Sequence, residues 1–207
     1  QYETFLHDVC MNTRVSLEIV EFILGVFPGA ASMGTAVFGP SPPSTISYPL
    51  HMACSDPECP NSVIALLVKK NSAALSHLCI VVGGADGADG GVYDEYVKGT
   101  PLHYYLAREA NIDIETVKML VDAHPAALTT ADEDSKFTPL HTFLCNPNSA
   151  ELCDVLQFLV EYEPISVRMI GGYGETPLHM ACTNKNIQSK TVQVLLNAWP
   201  ESSHQRN

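Results

Sequence analysis

Apolar residues recur at spacings of three and four residues in five stretches of the chain, as in Val117, Leu120 and Val121. This spacing places apolar side chains on one face of a helix. The predicted helices cover residues 15–27, 63–68, 114–123, 152–162 and 192–199. Four of them end at a proline, which cannot continue a helix, and in the second we assign the same role to Asn71, because asparagine tolerates the left-handed backbone.

A four-residue motif precedes each of these helices. Thr-Pro-Leu-His occurs at 100–103, 138–141 and 176–179, Tyr-Pro-Leu-His at 48–51, and Thr-Phe-Leu-His at 4–7. Threonine caps helix N-termini, and proline is favoured at the first helical position because its missing N–H would be unpaired there. The motif therefore predicts a second set of helices, each paired with one of the longer ones.

The spacing of the motifs separates the paired helices from their connections. From each motif histidine to the residue that ends the following helix the distance is 20 to 23 residues, whereas the distance onward to the next histidine varies from 15 to 32. A stacked helix pair must keep its length to meet its neighbours, but a projecting loop need not. We therefore expect enlarged loops at residues 29–47 and 80–99.

The motifs resemble the ankyrin signature Thr-Pro-Leu-His-x-Ala, and the resemblance extends over nearly the whole chain. It implies an all-α fold, an ankyrin-type helical solenoid of five helix-turn-helix repeats forming a single domain over residues 1–207. The expected repeats are roughly 1–34, 44–78, 96–131, 134–170 and 172–207. The repeats differ from the usual pattern in running 38 residues or more, against the customary length of about 33.

The resemblance also implies a non-catalytic scaffold that binds a protein partner through a concave face of loop tips and first helices. We map this face to the loop residues before each motif and to the fourth and fifth residues after each motif histidine. The candidate partner-binding residues are Tyr96, Val97, Arg108, Asp134, Phe137, Asn146, Tyr173, Glu175 and Asn184. Aromatic and arginine side chains commonly anchor interfaces; alternatively, Phe137 and Tyr173 cover the edge of the core between loops.

Charge limits the classes of partner. The formal net charge is −12, from 23 acidic and 11 basic residues, and Lys69-Lys70 is the only adjacent basic pair. Nucleic acids and anionic membrane surfaces require clustered lysine and arginine, so we expect neither as a partner. The acidity favours a basic partner or simply provides solubility. No apolar run approaches the ~18 residues of a membrane span, so direct membrane insertion is not expected.

The histidines and cysteines do not predict catalysis or metal binding. Five histidines occupy the same place in successive repeats, separated by roughly ~10 Å as neighbouring helices are, so they cannot share one zinc ion. Cys10, Cys54 and Cys182 each follow a motif histidine by three residues, which indicates small buried apolar side chains. We expect no catalytic residue, no metal and no cofactor, and an intracellular, reducing compartment, with the cytoplasm favoured.

The enlarged loops carry two further patterns. Residues 39–43 (Gly-Pro-Ser-Pro-Pro) predict an irregular or polyproline-like segment, and residues 92–97 after a glycine-rich run predict a strand of a hairpin. Four acids in the second loop raise the alternative of a calcium-responsive module, but their spacing does not match an EF-hand. They are Asp86, Asp89, Asp94 and Glu95.

The first and last long helices are apolar over much of their surface, at residues 19–27 and 192–199. Terminal repeats of a solenoid normally present a polar outer face. We therefore expect the chain to be part of a longer protein or buried in a multi-protein assembly. A regulatory segment of a larger enzyme or channel is the alternative function.

Overall fold

The computed structural model describes residues 5–37, 45–80 and 98–204 of the chain, and these residues contain ten α-helices. The short first helices of the pairs are α1 Phe5–Cys10, α3 Pro49–Ser55, α5 Pro101–Ala107, α7 Pro139–Cys145 and α9 Pro177–Thr183. The longer second helices are α2 Leu17–Val26, α4 Asn61–Lys70, α6 Ile114–Ala123, α8 Cys153–Tyr162 and α10 Ser189–Ala198. The predicted longer helices are thus all present, and α6 has the predicted bounds.

The helices form two layers that follow the order of the chain. Each first helix packs on the first helix of the next pair, and each second helix packs on the next second helix. This arrangement confirms the all-α solenoid of helix-turn-helix repeats. The core lies between the two layers, where the motif leucines Leu50, Leu102 and Leu140 are fully buried.

A 3₁₀ helix of five residues follows each second helix, a feature that the sequence did not predict. These segments are Pro28–Ser32, Ser72–Ser76, Pro125–Thr129, Pro164–Arg168 and Pro200–His204. Proline begins four of them because its fixed φ suits the first position of a helix.

The assignment of Asn71 as the equivalent of the prolines was wrong by one residue. Ser72 begins the 3₁₀ segment, whereas Asn71 caps the C-terminus of α4 with φ −149°, which is not left-handed. The Asn71 side chain donates instead to the carbonyl of Ala31 in the preceding repeat, at 3.0 Å. Asn71 therefore links two repeats.

Two antiparallel strand pairs stand where the loops are enlarged. Strand β1 Thr35–Val37 pairs with β2 Thr45–Ser47, and β3 Cys79–Ile80 pairs with β4 Lys98–Gly99. Residues 29–32 belong to a 3₁₀ helix, so the first enlargement begins later than predicted. The proline-rich segment 39–43, the predicted strand 92–97 with Tyr96 and Val97, and the four loop acids lie outside the described residues.

Candidate functional site

The motif histidines of the first four repeats connect their first helix to backbone that follows it in the chain. The Nδ1 atom of His103 accepts the backbone N–H of Thr100 at 3.1 Å, and its Nε2 donates to the carbonyl of Phe137 at 3.1 Å. His141 makes the same pair of bonds, to Thr138 and to the carbonyl of Glu175. Because Nδ1 accepts from a backbone amide, these imidazoles are neutral and carry their hydrogen on Nε2.

Burial keeps these imidazoles neutral. It lowers the pKa of His51, His103 and His141 from 6.5 to about 4, because a charged ring loses its hydration in the core. The described residues contain no group of three or more side chains placed to hold a metal ion. The histidines thus form a row with one ring per repeat and order the loops that follow.

A buried carboxylate orders the loop before α7. Asp132 is almost fully buried and accepts the backbone amides of Asp134, Ser135 and Phe137 at 2.8, 2.6 and 3.0 Å. Sequence reasoning missed this role. The available signal was an aspartate followed closely by small and polar residues, which is typical of a side chain that bonds its own backbone two residues on.

Neighbouring loops are hydrogen-bonded side by side. The Lys98 ammonium pairs with the Glu133 carboxylate at 2.9 Å, and the Lys98 amide donates to Asp134 Oδ2 at 3.2 Å. On the other side, the Gly172 amide donates to the carbonyl of Ser135 at 2.7 Å. Three successive loops therefore form one continuous row.

Tyr173 is exposed on this row of loops, with 80% of its surface accessible. Its backbone amide donates to Glu175 Oε2 at 3.1 Å, and the next residue, Gly174, has φ 96°, which favours glycine. Asp134 is exposed and Glu175 is half-buried on the same row of loops. The structure thus brings Asp134, Tyr173 and Glu175 to one edge, and we call these three residues the loop face.

Phe137 has a different environment from Tyr173. Its ring is half-buried and parallel to the ring of His141, with centroids 5.3 Å apart and an interplanar angle of 9°. A Cβ atom added at Gly171 would lie 2.6 Å from the Phe137 ring, so glycine allows the two loops to approach. These contacts favour the alternative stated for Phe137, a side chain that covers the edge of the core.

The fifth residue after each motif histidine was predicted to lie on the exposed first-helix surface, and this placement was wrong for Arg108 and Asn146. Only 2% of each is accessible. The Arg108 guanidinium donates to the carbonyls of Ala53 and Cys54 at 2.5 and 3.0 Å. These carbonyls lie near the C-terminus of the preceding first helix, where helical hydrogen bonding ends and carbonyls need other donors.

The later repeats use asparagine for the same contact. Asn146 Nδ2 donates to the carbonyls of Leu106 and Arg108 at 3.1 and 2.6 Å. Asn184, which is half-buried, donates to the carbonyls of Leu144 and Asn146 at 3.1 and 2.8 Å. This position therefore joins neighbouring repeats, and the accessible first-helix residues stand one place earlier, as Thr183 does.

Comparison with known protein families identifies a match over half of the chain. The family model described as ankyrin repeats, in three copies, matches residues 102–205. No curated protein matches the chain in sequence. Among the helices of the described residues, none combines the length and the apolar character needed to cross a membrane.

Proposed function

The chain belongs to the ankyrin-repeat family, and we propose that it is a non-catalytic scaffold that binds a protein partner through the loop face and the adjoining first helices. Ankyrin repeats are generally protein–protein interaction modules. The proposal treats residues 1–207 as one ankyrin-repeat domain and the surface beside the loop face as the concave side of the solenoid.

The exposure of Tyr173 on an ordered loop is the observation that carries this proposal. Tyrosine is among the residues that most often dominate binding energy, because it supplies a large contact area with few rotatable bonds. The hydrogen bonds from Gly172 and Tyr173 to the neighbouring loop and to Glu175 hold the backbone in place before binding. Such preorganisation reduces the entropy lost on association.

The charges around Tyr173 support a basic partner segment. Asp134 and Glu175 flank it on the loop face, and the chain as a whole carries a net charge of −12. Complementary charge accelerates encounter and selects among partners. For the same reason we propose that nucleic acid and anionic membranes are not partners.

The proposal is tested by affinity capture from native extract with three baits, the natural chain, Tyr173→Ser and Tyr162→Ser. Tyr162 is the matched control because it is an exposed tyrosine on the second-helix layer, away from the loop face. We expect a basic protein that is retained by the natural chain and by Tyr162→Ser but lost with Tyr173→Ser. Identical captured sets for all three baits would remove Tyr173 from the interface.

The cysteines support the proposal of an intracellular, reducing compartment. Cys54, Cys59 and Cys79 are buried thiols that form no disulfide. Burial raises the pKa of each of these three thiols to about 12, which keeps them protonated and unreactive. They serve as small apolar side chains in the core.

A further inference from the structure

The carboxylate of Asp132 holds its own loop through both oxygen atoms. Its Oδ1 accepts the amides of Asp134 and Ser135 at 2.8 and 2.6 Å, and its Oδ2 accepts the amide of Phe137 at 3.0 Å. Because Asp132 is almost fully buried, water does not compete for these acceptors. One side chain therefore fixes the backbone from residue 134 to residue 137.

The backbone of Lys136 shows how firmly this loop is held. Its φ is 58°, in the left-handed region that residues other than glycine disfavour. Such a conformation persists when the surrounding contacts determine it. The residues on either side of Lys136 are Ser135 and Phe137, and Asp132 accepts the amides of both. The carboxylate therefore maintains a turn that the backbone alone would not favour.

This turn places the carbonyl of Ser135 against the next loop. The carbonyl accepts the amide of Gly172 at 2.7 Å. A Cβ atom added at Gly172 would lie 3.0 Å from the same oxygen, so the loops approach as closely as a residue without a Cβ atom allows. Gly172 directly precedes Tyr173. The backbone that carries Tyr173 therefore depends on where the Ser135 carbonyl lies.

A second contact between the two loops also begins at a residue that Asp132 holds. The Phe137 ring lies so close to Gly171 that a Cβ atom added there would be 2.6 Å from it. The Phe137 amide is bonded to Asp132 Oδ2, as the Ser135 amide is bonded to Oδ1. Asp132 thus fixes the backbone from which both contacts reach the loop of Tyr173.

Further hydrogen bonds of the Tyr173 loop are local. The Gly171 amide donates to the carbonyl of Glu175 at 2.7 Å, and the Gly174 amide donates to the carbonyl of Gly171 at 3.2 Å. These bonds give the loop its shape but do not attach it to the preceding loop. The attachment depends on the contacts that Gly171 and Gly172 make with the loop of Asp132.

We propose that Asp132 is a positioning residue for binding at Tyr173, and that it acts through Ser135 and Phe137 on the loop of the next repeat. This inference rests on the proposed binding function of the loop face. Asp132 itself is buried and touches no partner. It holds Tyr173 in one orientation before binding, which reduces the entropy lost when a partner associates.

A role confined to its own loop is the alternative for Asp132. Loss of the carboxylate would then loosen the amides of Asp134, Ser135 and Phe137 and leave the next loop unchanged. The two possibilities differ in the mobility of Tyr173, which lies 41 positions further along the chain. Backbone relaxation and amide hydrogen exchange, both measured by NMR, report this mobility.

Asp132→Asn keeps the size of the side chain but replaces one acceptor oxygen by an NH₂ group, which cannot accept a backbone amide. We expect the Gly172 amide to exchange about tenfold faster than in the natural chain, because its loop opens more often. The order parameter of Tyr173 should fall from about 0.85 to about 0.6, the values of rigid and flexible backbone.

Gly172→Ala breaks the same link from the other side and tests the proposal even if Asp132→Asn fails to fold. The φ of Gly172 is not positive, so alanine suits its backbone, but the added methyl group displaces the Ser135 carbonyl. Tyr173 should become as mobile as in Asp132→Asn, while the amides of Asp134 and Ser135 stay protected. The effects of the two substitutions on Tyr173 should not add, because both remove one link.

Two control variants make the same chemical changes away from these loops. Asp122→Asn removes an exposed carboxylate from α6. Gly29→Ala adds a methyl group where no atom lies within 4 Å. Both should leave the order parameter of Tyr173 and the exchange of the Gly172 amide as they are in the natural chain.

Affinity capture with Asp132→Asn as a further bait connects mobility with binding. The protein that the natural chain retains and Tyr173→Ser loses should be reduced about fivefold or more. Unchanged mobility of Tyr173 in Asp132→Asn and Gly172→Ala overturns the proposal, and so does full retention by a variant in which Tyr173 is mobile. If Tyr173→Ser retains everything that the natural chain does, the proposed function fails, whereas the NMR measurements still decide whether Asp132 positions Tyr173.

Discussion

Acidification should unfold the protein through its row of buried histidines. His51, His103 and His141 have pKa values near 4 in the fold, against an ordinary value of 6.5. The folded state therefore resists protonation that the unfolded chain accepts. The three neutral rings therefore leave the free energy of unfolding at its full value above pH 6.5. They lower it progressively as the pH falls from 6.5 towards 4.

The size of the effect follows from the two pKa values. At pH 5 an unfolded histidine is almost fully protonated and its folded counterpart is not, so each ring removes about 2 kcal/mol from the free energy of unfolding. Three such rings together remove about 6 kcal/mol, which is comparable to the whole stability of a typical domain, about 5–15 kcal/mol.

The neighbours of the three rings do not cancel the effect. Asp132 lies close enough to His103 and His141 to favour the charged ring, and Glu175 does so for His141, whereas His7 and His77 disfavour charge on His51. These influences are already contained in the lowered pKa values. Desolvation is the largest contribution for all three rings.

Urea unfolding followed by circular dichroism at several values between pH 8 and pH 5 measures the effect. The slope of the free energy of unfolding against pH gives the number of protons taken up, and we expect it to approach three near pH 5. His103→Gln should lower this uptake by about one proton. An uptake below about one proton near pH 5 would refute the assignment of neutral, structural imidazoles.

Substitutions of Phe137, Asp56 and Arg108 test the contacts between repeats, each by urea unfolding at pH 8. Phe137→Ala should lower the free energy of unfolding by about 2 kcal/mol because a half-buried ring is lost. Tyr173→Ala should change it by less than about 0.5 kcal/mol because this side chain is exposed. Equal effects of the two substitutions would contradict the different environments described for Phe137 and Tyr173. Asp56→Asn should stabilise the protein by about 1 kcal/mol, since Asp56 Oδ2 is buried without a partner at the position where Asn184 donates. Arg108→Met should destabilise by about 2–4 kcal/mol because carbonyls of the preceding repeat lose their charged donor, and Arg108→Lys should not restore it because lysine lacks the planar array of donors.

The sequence predicts the layers of this fold better than its connections. The apolar period of residues 114–123 alone places α6 correctly, because one face of that helix must be buried in any packing. The prolines were correctly predicted to mark the ends of the helices. The sequence did not show that the same prolines also begin 3₁₀ segments, because that depends on how the chain turns back toward the next repeat.

The candidate site was harder to predict for a related reason. Arg108 and Ala107 are adjacent, and only the packing of α5 on α3 determines which of them turns toward the preceding repeat. Asp132 and Asp134 are likewise two similar acids, of which one is enclosed by loop amides and the other is exposed. Tyr173, between Gly172 and Gly174, is exposed in the structure, whereas the sequence left open whether it lies on the binding face or covers the edge of the core.

The side-chain bonds between repeats have a mechanical consequence. The Asn184 side chain donates to the carbonyl of Asn146, and the Asn146 side chain donates to the carbonyl of Arg108. Each of these hydrogen bonds therefore spans only one boundary between repeats. A force that pulls the two chain ends apart along the stacking axis loads the boundaries in series, and the weakest one opens first while the others stay closed. The solenoid should therefore extend in separate steps of one repeat each, at lower force than a protein in which all such bonds are sheared together.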